Sequence, residues 1–274
     1  MKILVTGVSG QLGSALMELI KGHELRGTKR PEVDLLDRAA VRRAIESFRP
    51  DAIIHAAALT KVDYCEDHPD EARKVNVEGT RNVVEAAGKA RVVYLSTEYV
   101  FDGRNGPYGE EDPPNPLSVY ARSKYEGELV ARQAGRSTIV RTTVVFTYRP
   151  ASKNFLMQVL EGKPMRIPRD QISNPTLTEN LAEAVTELVE RDLGGIYNIV
   201  GADRVDRFTF ARRIVEKFKL DPKSIEPVTT DELRQRAPRP LSAGLKIDKA
   251  RRDLKTRLLT LEDALAFTLR KSQS

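Results

Sequence analysis

The sequence predicts a doubly wound α/β fold with a small discontinuous C-terminal lobe. Short apolar runs alternate with helical patterns through the first half of the 274-residue chain, and a glycine-rich turn joins the first run to the first helix. After about residue 148 this rhythm gives way to proline-containing segments. Strands that alternate with helices form a parallel sheet covered on both faces. Right-handed crossovers then place ligands at the carboxyl ends of the strands.

The elements of the first half follow from apolar runs, helical periodicity and breaker residues. Each strand is a run of about six residues, and each helix has one apolar face. The predicted strands span residues 2–6, 23–28, 52–57, 91–96 and 138–143, and the helices span 11–21, 38–48, about 69–87 and a segment that ends near 133. This pattern is typical of a Rossmann sheet.

The second half is predicted to contribute to both parts of the molecule. A helix at 177–190 and a strand at 195–200 return to the main sheet, whereas helices near 208–218 and 261–269 belong to the lobe. We therefore expect a main domain formed by residues 1–148 plus about 177–202. The remaining segments, about 149–176 plus 203–274, are expected to form the lobe.

Composition excludes several classes of function. The net charge is +6, but charged residues make up 31% of the chain and both signs are interspersed, which is typical of a solvated surface and not of a nucleic-acid partner. No run of 18 apolar residues predicts a membrane span. The single cysteine, Cys65, and the absence of a signal-peptide pattern indicate the cytoplasm. The three histidines and Cys65 show no metal-ligand spacing, so no metal is expected.

The glycine-rich turn predicts a dinucleotide site. Gly7, Gly10 and Gly13 follow the first strand and open the first helix, which is the structural context in which this motif indicates dinucleotide binding. Glycine permits a tight turn and a close approach of the backbone, and the N–H groups at the start of the helix bind phosphate. The main domain is therefore expected to bind the pyrophosphate of a dinucleotide cofactor.

The end of the second strand indicates which dinucleotide is bound. An NAD site usually has an acidic residue there for the ribose 2′-hydroxyl. This chain has Thr28, Lys29 and Arg30 instead, which suit a 2′-phosphate and favour NADP(H). Binding of NAD(H) stays open, because these residues also fit an ordinary solvated turn.

A tyrosine and a lysine predict the chemistry. Tyr120 and Lys124 are four residues apart, so on a helix both project from one face. An ammonium beside a phenol is expected to lower the tyrosine pKa towards neutrality and make it a usable acid. Ser96 and Thr97 end the fourth strand, where hydroxyls point into the crevice. Together with a hydride source, these groups predict reduction of a ketone or oxidation of an alcohol.

These motifs resemble the extended short-chain dehydrogenase/reductase superfamily and, within it, the dTDP-4-dehydrorhamnose reductase family. The resemblance covers nearly the whole chain. It rests on Thr-Gly-x-x-Gly-x-x-Gly, Ser-Thr-x-Tyr-Val-Phe-Asp-Gly and Tyr-x-x-x-Lys, and on the segments at 55–63, 170–176 and 239–245. It implies an NADPH-dependent reductase of a nucleotide-linked 4-keto-6-deoxy sugar. A nucleotide-sugar is then the expected partner of the lobe, and a homodimer is compatible with this family.

The resemblance also implies individual roles. Thr97 supplies the catalytic hydroxyl, Tyr120 is the general acid and Lys124 is its partner. Thr97 also contacts the substrate, together with Glu98, Asn174 and Arg239. The implied cofactor contacts are Gln11 and Leu12 to the pyrophosphate, Asp34 and Leu35 on the adenine side, Ala57 and Ala58 to the middle of the cofactor, and Tyr120 and Lys124 at the reacting end. Asn76 corresponds to the structural asparagine of the superfamily.

Two departures from the family bear on the expected sugar pocket, and two alternative functions stay open. Glu98 stands where the family usually has aspartate, and the segment at 141–146 lacks the family's tryptophan. A nucleotide-sugar epimerase or dehydratase is one alternative, although dehydratases usually carry Asp-Glu after the catalytic threonine and this chain has one carboxylate there. The other is a non-catalytic, NADP-binding regulatory subunit resembling that of methionine adenosyltransferase. Such a subunit does not require the intact trio of Thr97, Tyr120 and Lys124.

Overall fold

The structure is a computed structural model that describes residues 1–150 and 152–273. The strands are β1 (Lys2–Thr6), β2 (Glu24–Thr28), β3 (Ala52–His55), β4 (Arg91–Thr97), β5 (Ser137–Thr142), β6 (Val145–Phe146), β7 (Met165–Pro168), β8 (Ile172–Ser173), β9 (Thr176–Leu177), β10 (Gly195–Asn198), β11 (Val205–Asp206) and β12 (Ile225–Val228). The α-helices are α1 (Gln11–Leu19), α2 (Arg38–Phe48), α3 (Val62–Asp67), α4 (Pro69–Arg73), α5 (Gly79–Ala86), α6 (Val119–Ala131), α7 (Phe155–Leu160), α8 (Thr178–Glu190), α9 (Arg207–Phe218), α10 (Thr230–Leu233), α11 (Asp248–Asp253) and α12 (Leu261–Ser272).

The main sheet has six strands in the order β10-β5-β4-β3-β1-β2. Every neighbouring pair is parallel, with Ile3 opposite Ala52 and Thr6 opposite Thr28 in the pairs that β1 forms. The strand order reverses between β1 and β3, which opens a crevice at the carboxyl ends of these strands. The predicted doubly wound α/β fold is confirmed.

The two faces of the sheet are buried by different helices because successive side chains point to opposite faces. Ile3 packs in one apolar cluster with Leu16 of α1, whereas Leu4 packs in another with Val41 and Ile45 of α2. Helices α1 and α8 lie against each other on the first face. The sheet is therefore enclosed, and ligands reach it at its ends.

A second core lies in the C-terminal part of the chain. Its cluster includes Phe146, Leu156, Ile167, Phe210 and Leu265, which come from short strands and from helices α7, α9 and α12. Strand β7 pairs with β12, and β8 pairs with β11. This core is the lobe that the sequence predicts, although the boundaries assigned to it stay a prediction. No helix in the described part of the chain is both long enough and apolar enough to cross a membrane.

The helix predicted at about 69–87 is interrupted by a π-helical turn at Lys74–Glu78. Asn76 lies in this turn. Its side chain accepts a hydrogen bond from Leu59 N–H, and it donates to the Leu59 carbonyl oxygen and to the Ser123 hydroxyl, the latter at 2.9 Å. A π-helical turn interrupts the regular hydrogen bonds of an α-helix, and such turns are frequent at functional sites. The short helices α3, α7, α10 and α11 were also not predicted, because helices of one or two turns depend on packing.

Candidate active site

The predicted cofactor-binding and catalytic residues surround one continuous cleft at the carboxyl ends of the main strands. A cavity of about 410 Å³ lies beyond β1, β3, β4 and β5, and a second of about 220 Å³ lies beyond β2. Gly7, Gly10, Ala56 and Ala58 line both. A cavity of about 720 Å³ at the amino ends of the strands is lined by none of the predicted site residues. The two cavities therefore form one cleft that runs from the end of β2 to the ends of β4 and β5.

The glycine turn brings the backbone close to the cleft. Gly7 has a φ of +75°, and a Cβ atom there would lie 2.7 Å from the Ala57 Cα atom. A Cβ atom on Gly13 would lie 2.2 Å from the Gly7 carbonyl oxygen. Helix α1 begins immediately after Gly10, and the N–H groups of its first turn have no acceptor within the helix. These amides, with Gln11, Leu12 and Gly13 at the cavity wall, suit a pyrophosphate.

The smaller cavity carries the residues predicted to select the cofactor. Lys29 and Arg30 are exposed, and neither has a carboxylate within ion-pair distance in the described ranges. The Thr28 carbonyl accepts a hydrogen bond from the Gly7 N–H group at 2.9 Å, which ties the end of β2 to the glycine turn. The residues of this wall include Thr28, Lys29, Arg30, Asp34, Leu35, Ala57 and Ala58. Two unpaired cations thus face the end of the cleft.

The larger cavity brings the predicted catalytic trio together. Thr97 ends β4, and Tyr120 and Lys124 project from α6. The start of α6 is held by Ser118, which accepts from the Ala121 N–H group, and by the Glu66 carboxylate, which accepts from Val119 N–H at 2.9 Å. The three functional side chains therefore line one wall.

The pKa predicted for the tyrosine is wrong. Burial raises the pKa of the Tyr120 phenol far above its usual range, and a hydrogen bond with the Thr97 hydroxyl opposes only part of that rise. Burial also lowers the pKa of Lys124 to about 7. The Lys124 Nζ atom donates to the Leu95 carbonyl oxygen at 2.7 Å. A lysine that is readily neutralised does little to favour a phenolate, so the phenol keeps its proton.

Three buried oxygen atoms in this wall lack a hydrogen bond. They are Gln11 Oε1, Ser96 Oγ and Thr142 Oγ1, and none has a partner within the part of the chain that the structure describes. A buried polar atom left unpaired costs about 1–3 kcal/mol, so a ligand that bonds these three atoms would be stabilised by them. The wall therefore fits a ligand rich in hydroxyl and amide groups, as a dinucleotide is.

The structure does not bring three of the predicted substrate contacts to this wall. Buried Glu98 accepts from the Thr143 hydroxyl and from the Gly244 N–H group at 2.9 Å. Asn174 donates to the Gly201 carbonyl at 3.0 Å and accepts from Leu245 N–H at 2.9 Å. Both side chains thus hold distant segments of the chain together.

Arg239, the third of these residues, forms an ion pair with Asp63 at 2.9 Å and donates to the Ala237 carbonyl. Its side chain is buried and absent from the residues that line the larger cavity. The Arg239 side chain therefore joins the C-terminal segment to α3, next to the site.

Tyr99 and Arg207 line the cavity but were not predicted as site residues. The Tyr99 ring meets the Tyr120 ring edge-on, with centroids 5.8 Å apart. The Arg207 guanidinium lies 5.0 Å from the centre of the Phe155 ring. A single arginine at the start of a helix carries no signal in the sequence, and only the tertiary structure places it at the cleft.

Comparison with known proteins agrees with this geometry. The family model described as "RmlD substrate binding domain" matches residues 1–274. The chain is 33% identical to dTDP-4-dehydrorhamnose reductase of Sinorhizobium fredii, over 96% of this chain and 95% of that protein. It is also 32% identical to methionine adenosyltransferase 2 subunit beta of Danio rerio, over 90% of this chain and 83% of that protein.

A similar solved structure is that of dTDP-4-dehydrorhamnose reductase from Bacillus anthracis in complex with NADP. It superimposes with a TM-score of 0.93 and covers 98% of this chain and 99% of that chain, at 29% identity. The likeness therefore extends over the main sheet and the C-terminal lobe together.

Proposed function

The chain belongs to the RmlD substrate binding domain family, and from that premise we propose that it is an NADPH-dependent reductase of a nucleotide-linked 4-keto-6-deoxy sugar. The proposed reaction is the reduction of dTDP-4-dehydrorhamnose to dTDP-L-rhamnose. One observation carries the proposal: Thr97, Tyr120 and Lys124 line a single cavity that continues into the glycine-rich cradle. The reductase relatives and the NADP complex support it.

Residues along the cleft would hold the cofactor in this proposal. The amides at the start of α1 would bind its pyrophosphate, and Asp34 and Leu35 would border its adenine end. Ala57 and Ala58 allow its middle to lie against the backbone. Residues 1–148 plus about 177–202 would then form the cofactor-binding domain, and the remaining segments would close over the sugar. When bound, the reduced nicotinamide supplies the hydride.

Tyr120 protonates the oxygen of the reduced carbonyl. The phenol is protonated at neutral pH, which is the form that reduction requires, and burial, which raises its pKa, makes it a weaker acid than a tyrosine in water. The Thr97 hydroxyl, which already bonds the phenol, lies where it can orient the same oxygen. Lys124 projects from the same face of α6 and would hold the reacting end of the cofactor. When its amine is protonated, it also adds a positive charge to the site.

NADPH is the proposed reductant and NADH the weaker alternative. The exposed cations Lys29 and Arg30 border the adenine end of the cleft, and the end of β2 offers no carboxylate for a 2′-hydroxyl. Arginine and lysine bind phosphate through charge-assisted hydrogen bonds, which are roughly twice as strong as neutral ones.

The first test is oxidation of NADPH, followed by nicotinamide absorbance, with dTDP-4-keto-6-deoxy-L-mannose made in situ. Wild-type protein should turn over, and Tyr120→Phe should lose about 10²–10⁴-fold in kcat with NADPH affinity retained. Tyr125→Phe, on the same helix but outside the cavity wall, is the matched control and should keep its rate. Equal turnover by Tyr120→Phe would remove the phenol from the mechanism.

A regulatory role is the second candidate, because the 32% identity to methionine adenosyltransferase 2 subunit beta over 90% of this chain is close to the 33% identity over 96% to a reductase. A binding subunit has no use for a proton donor. Tight NADPH binding by wild type without turnover of any 4-keto sugar nucleotide would favour this role, and co-purification with a methionine adenosyltransferase catalytic subunit would then test it directly.

A further inference from the structure

The charges that line the 410 Å³ cavity are unbalanced. Among the described residues of its wall, Lys124 and Arg207 are basic, and none is aspartate or glutamate. Lys124, whose buried amine is readily neutralised, lies on α6 beside the proposed catalytic phenol, whereas Arg207 enters from α9 of the lobe and stays charged. The wall therefore presents a permanent cation from the lobe to whatever enters it.

The Arg207 guanidinium has N–H groups without a hydrogen-bond acceptor among the described residues, unlike two other arginines nearby. Arg239 is paired with Asp63, and Arg204 donates to the Ala243 carbonyl and the Ser242 hydroxyl, both at 2.7 Å. No carboxylate lies within 4.0 Å of the Arg207 guanidinium in the two described ranges. Its side chain is partly buried and packs over the Phe155 ring at 5.0 Å. A desolvated guanidinium without a partner is costly unless an anion completes it.

The nearest acidic group does not fill that role. Glu98 interacts with Arg207 through space, but both of its oxygens accept hydrogen bonds, from the Thr143 hydroxyl and from Gly244 N–H. The Glu98 carboxylate is also beyond ion-pair distance from the guanidinium. The described carboxylates therefore leave the Arg207 guanidinium available to an anion that a ligand supplies.

The glycine turn and the start of α1, in the main domain, are the proposed binding site for the pyrophosphate of the cofactor. Arg207 lies on the lobe side, where it interacts with Tyr99 and Arg239. Tyr99 in turn contacts the Tyr120 ring. A second anionic group is thus expected on the lobe side of the Tyr120 phenol, opposite the cofactor.

Resting on the proposed function, we propose that Arg207 binds the diphosphate of the nucleotide-linked sugar and so places the sugar carbonyl at Tyr120. A guanidinium is suited to this role because its planar fork binds two phosphate oxygens at once. The planar face stays packed on Phe155, which fixes its direction before the substrate arrives. Arg207 is then a specificity residue that selects nucleoside diphosphate sugars over free sugars.

The test measures binding of dTDP and of NADPH separately by calorimetry, for wild type, Arg207→Gln, Arg207→Lys and Arg213→Gln. Arg213 is exposed on the same helix and serves as the matched control. We expect Arg207→Gln to weaken dTDP about 10- to 100-fold, the range for losing a charged hydrogen-bond pair. NADPH affinity should stay unchanged, Arg207→Lys should recover part of the loss, and Arg213→Gln should behave as wild type.

Kinetics add a second readout. Arg207→Gln should raise KM for the sugar nucleotide more than it lowers kcat, because the diphosphate is bound equally in the ground and transition states. Unchanged dTDP affinity in Arg207→Gln, with binding by wild type intact, would overturn this inference alone. An equal loss of NADPH affinity would also overturn it, by assigning the arginine to the cofactor or to the fold. Failure of wild type to bind dTDP or to reduce the sugar would overturn the proposed function and this inference with it.

Discussion

The Lys124 ammonium lies 4.1 Å from the centre of the Tyr94 ring, and the Tyr94 hydroxyl donates back to the Lys124 carbonyl oxygen at 3.3 Å. Tyr94 is fully buried on β4, beneath the helix that carries the proposed catalytic residues Tyr120 and Lys124. The ring face stabilises the ammonium where burial disfavours it. One buried tyrosine thus supports both the charge and the backbone of the proposed catalytic lysine.

Replacing Tyr94 should separate these two contributions. Tyr94→Phe keeps the ring face and should retain most of kcat. Tyr94→Leu removes a cation–π contact of about 0.5–2 kcal/mol, so kcat should fall roughly 2- to 30-fold. The alkaline limb of its pH–rate profile should also move to lower pH, because the ammonium loses support. Identical profiles for the two variants would show that the ring does not affect Lys124.

Gly127 makes room for this arrangement on α6. A Cβ atom there would lie 2.2 Å from the Tyr94 hydroxyl and 2.7 Å from the Asn76 carbonyl oxygen. Gly127→Ala should lower the free energy of unfolding by about 1–3 kcal/mol, since overpacking outweighs the gain of about 1 kcal/mol in helix propensity. Urea unfolding measures this, with Gly135→Ala as the control because nothing lies within 4 Å of a Cβ atom there. Equal stability of the two variants would contradict the packing described.

Glu98 should make stability depend on pH. Burial raises its pKa from 4.5 to about 7. The folded chain therefore holds this proton more tightly than the unfolded chain, and the free energy of unfolding falls as pH rises from 4.5 to about 7. Glu98→Gln does not titrate and can still bond Thr143 and Gly244. Its stability relative to wild type should therefore rise by about 1–3 kcal/mol between about pH 4 and pH 8.

Urea unfolding of Glu98→Gln and wild type at the two pH values provides the measurement. A constant difference in the free energy of unfolding would mean that the Glu98 carboxyl titrates as it does in water. This experiment does not depend on substrate, so it tests the described position of the side chain apart from its proposed role.

Arg30→Ala should weaken NADPH and leave NADH unaffected. Arg30 borders the adenine end of the cleft without a carboxylate partner in the described part of the chain. Losing a charge-assisted contact to the 2′-phosphate should cost about 10-fold in Kd, which fluorescence titration measures for both cofactors. Arg43→Ala, exposed on α2 away from this cavity, is the control. Equal losses for NADPH and NADH would contradict the 2′-phosphate assignment.

Local patterns predicted the glycine turn and the side chains that line the cleft, whereas the binding and catalytic roles of these residues stay predictions. The glycine turn, the strand ends and the spacing of Tyr120 and Lys124 each lie within a few residues, where backbone geometry alone decides which way side chains project. Strand order follows from the same alternation of elements, because right-handed crossovers leave few arrangements. The cradle, the trio and the main sheet were therefore visible in the sequence.

The sequence by itself determined the doubly wound fold, the dinucleotide cradle and the side chains that share the face of α6. Only the tertiary structure decided that Glu98, Asn174 and Arg239 pair within the protein, that Arg207 enters the cavity, and that the Tyr120 pKa rises. The reason is physical. Hydrogen-bond partners and burial depend on segments more than a hundred residues apart, such as Glu98 and Gly244, and no local pattern encodes which distant groups will meet.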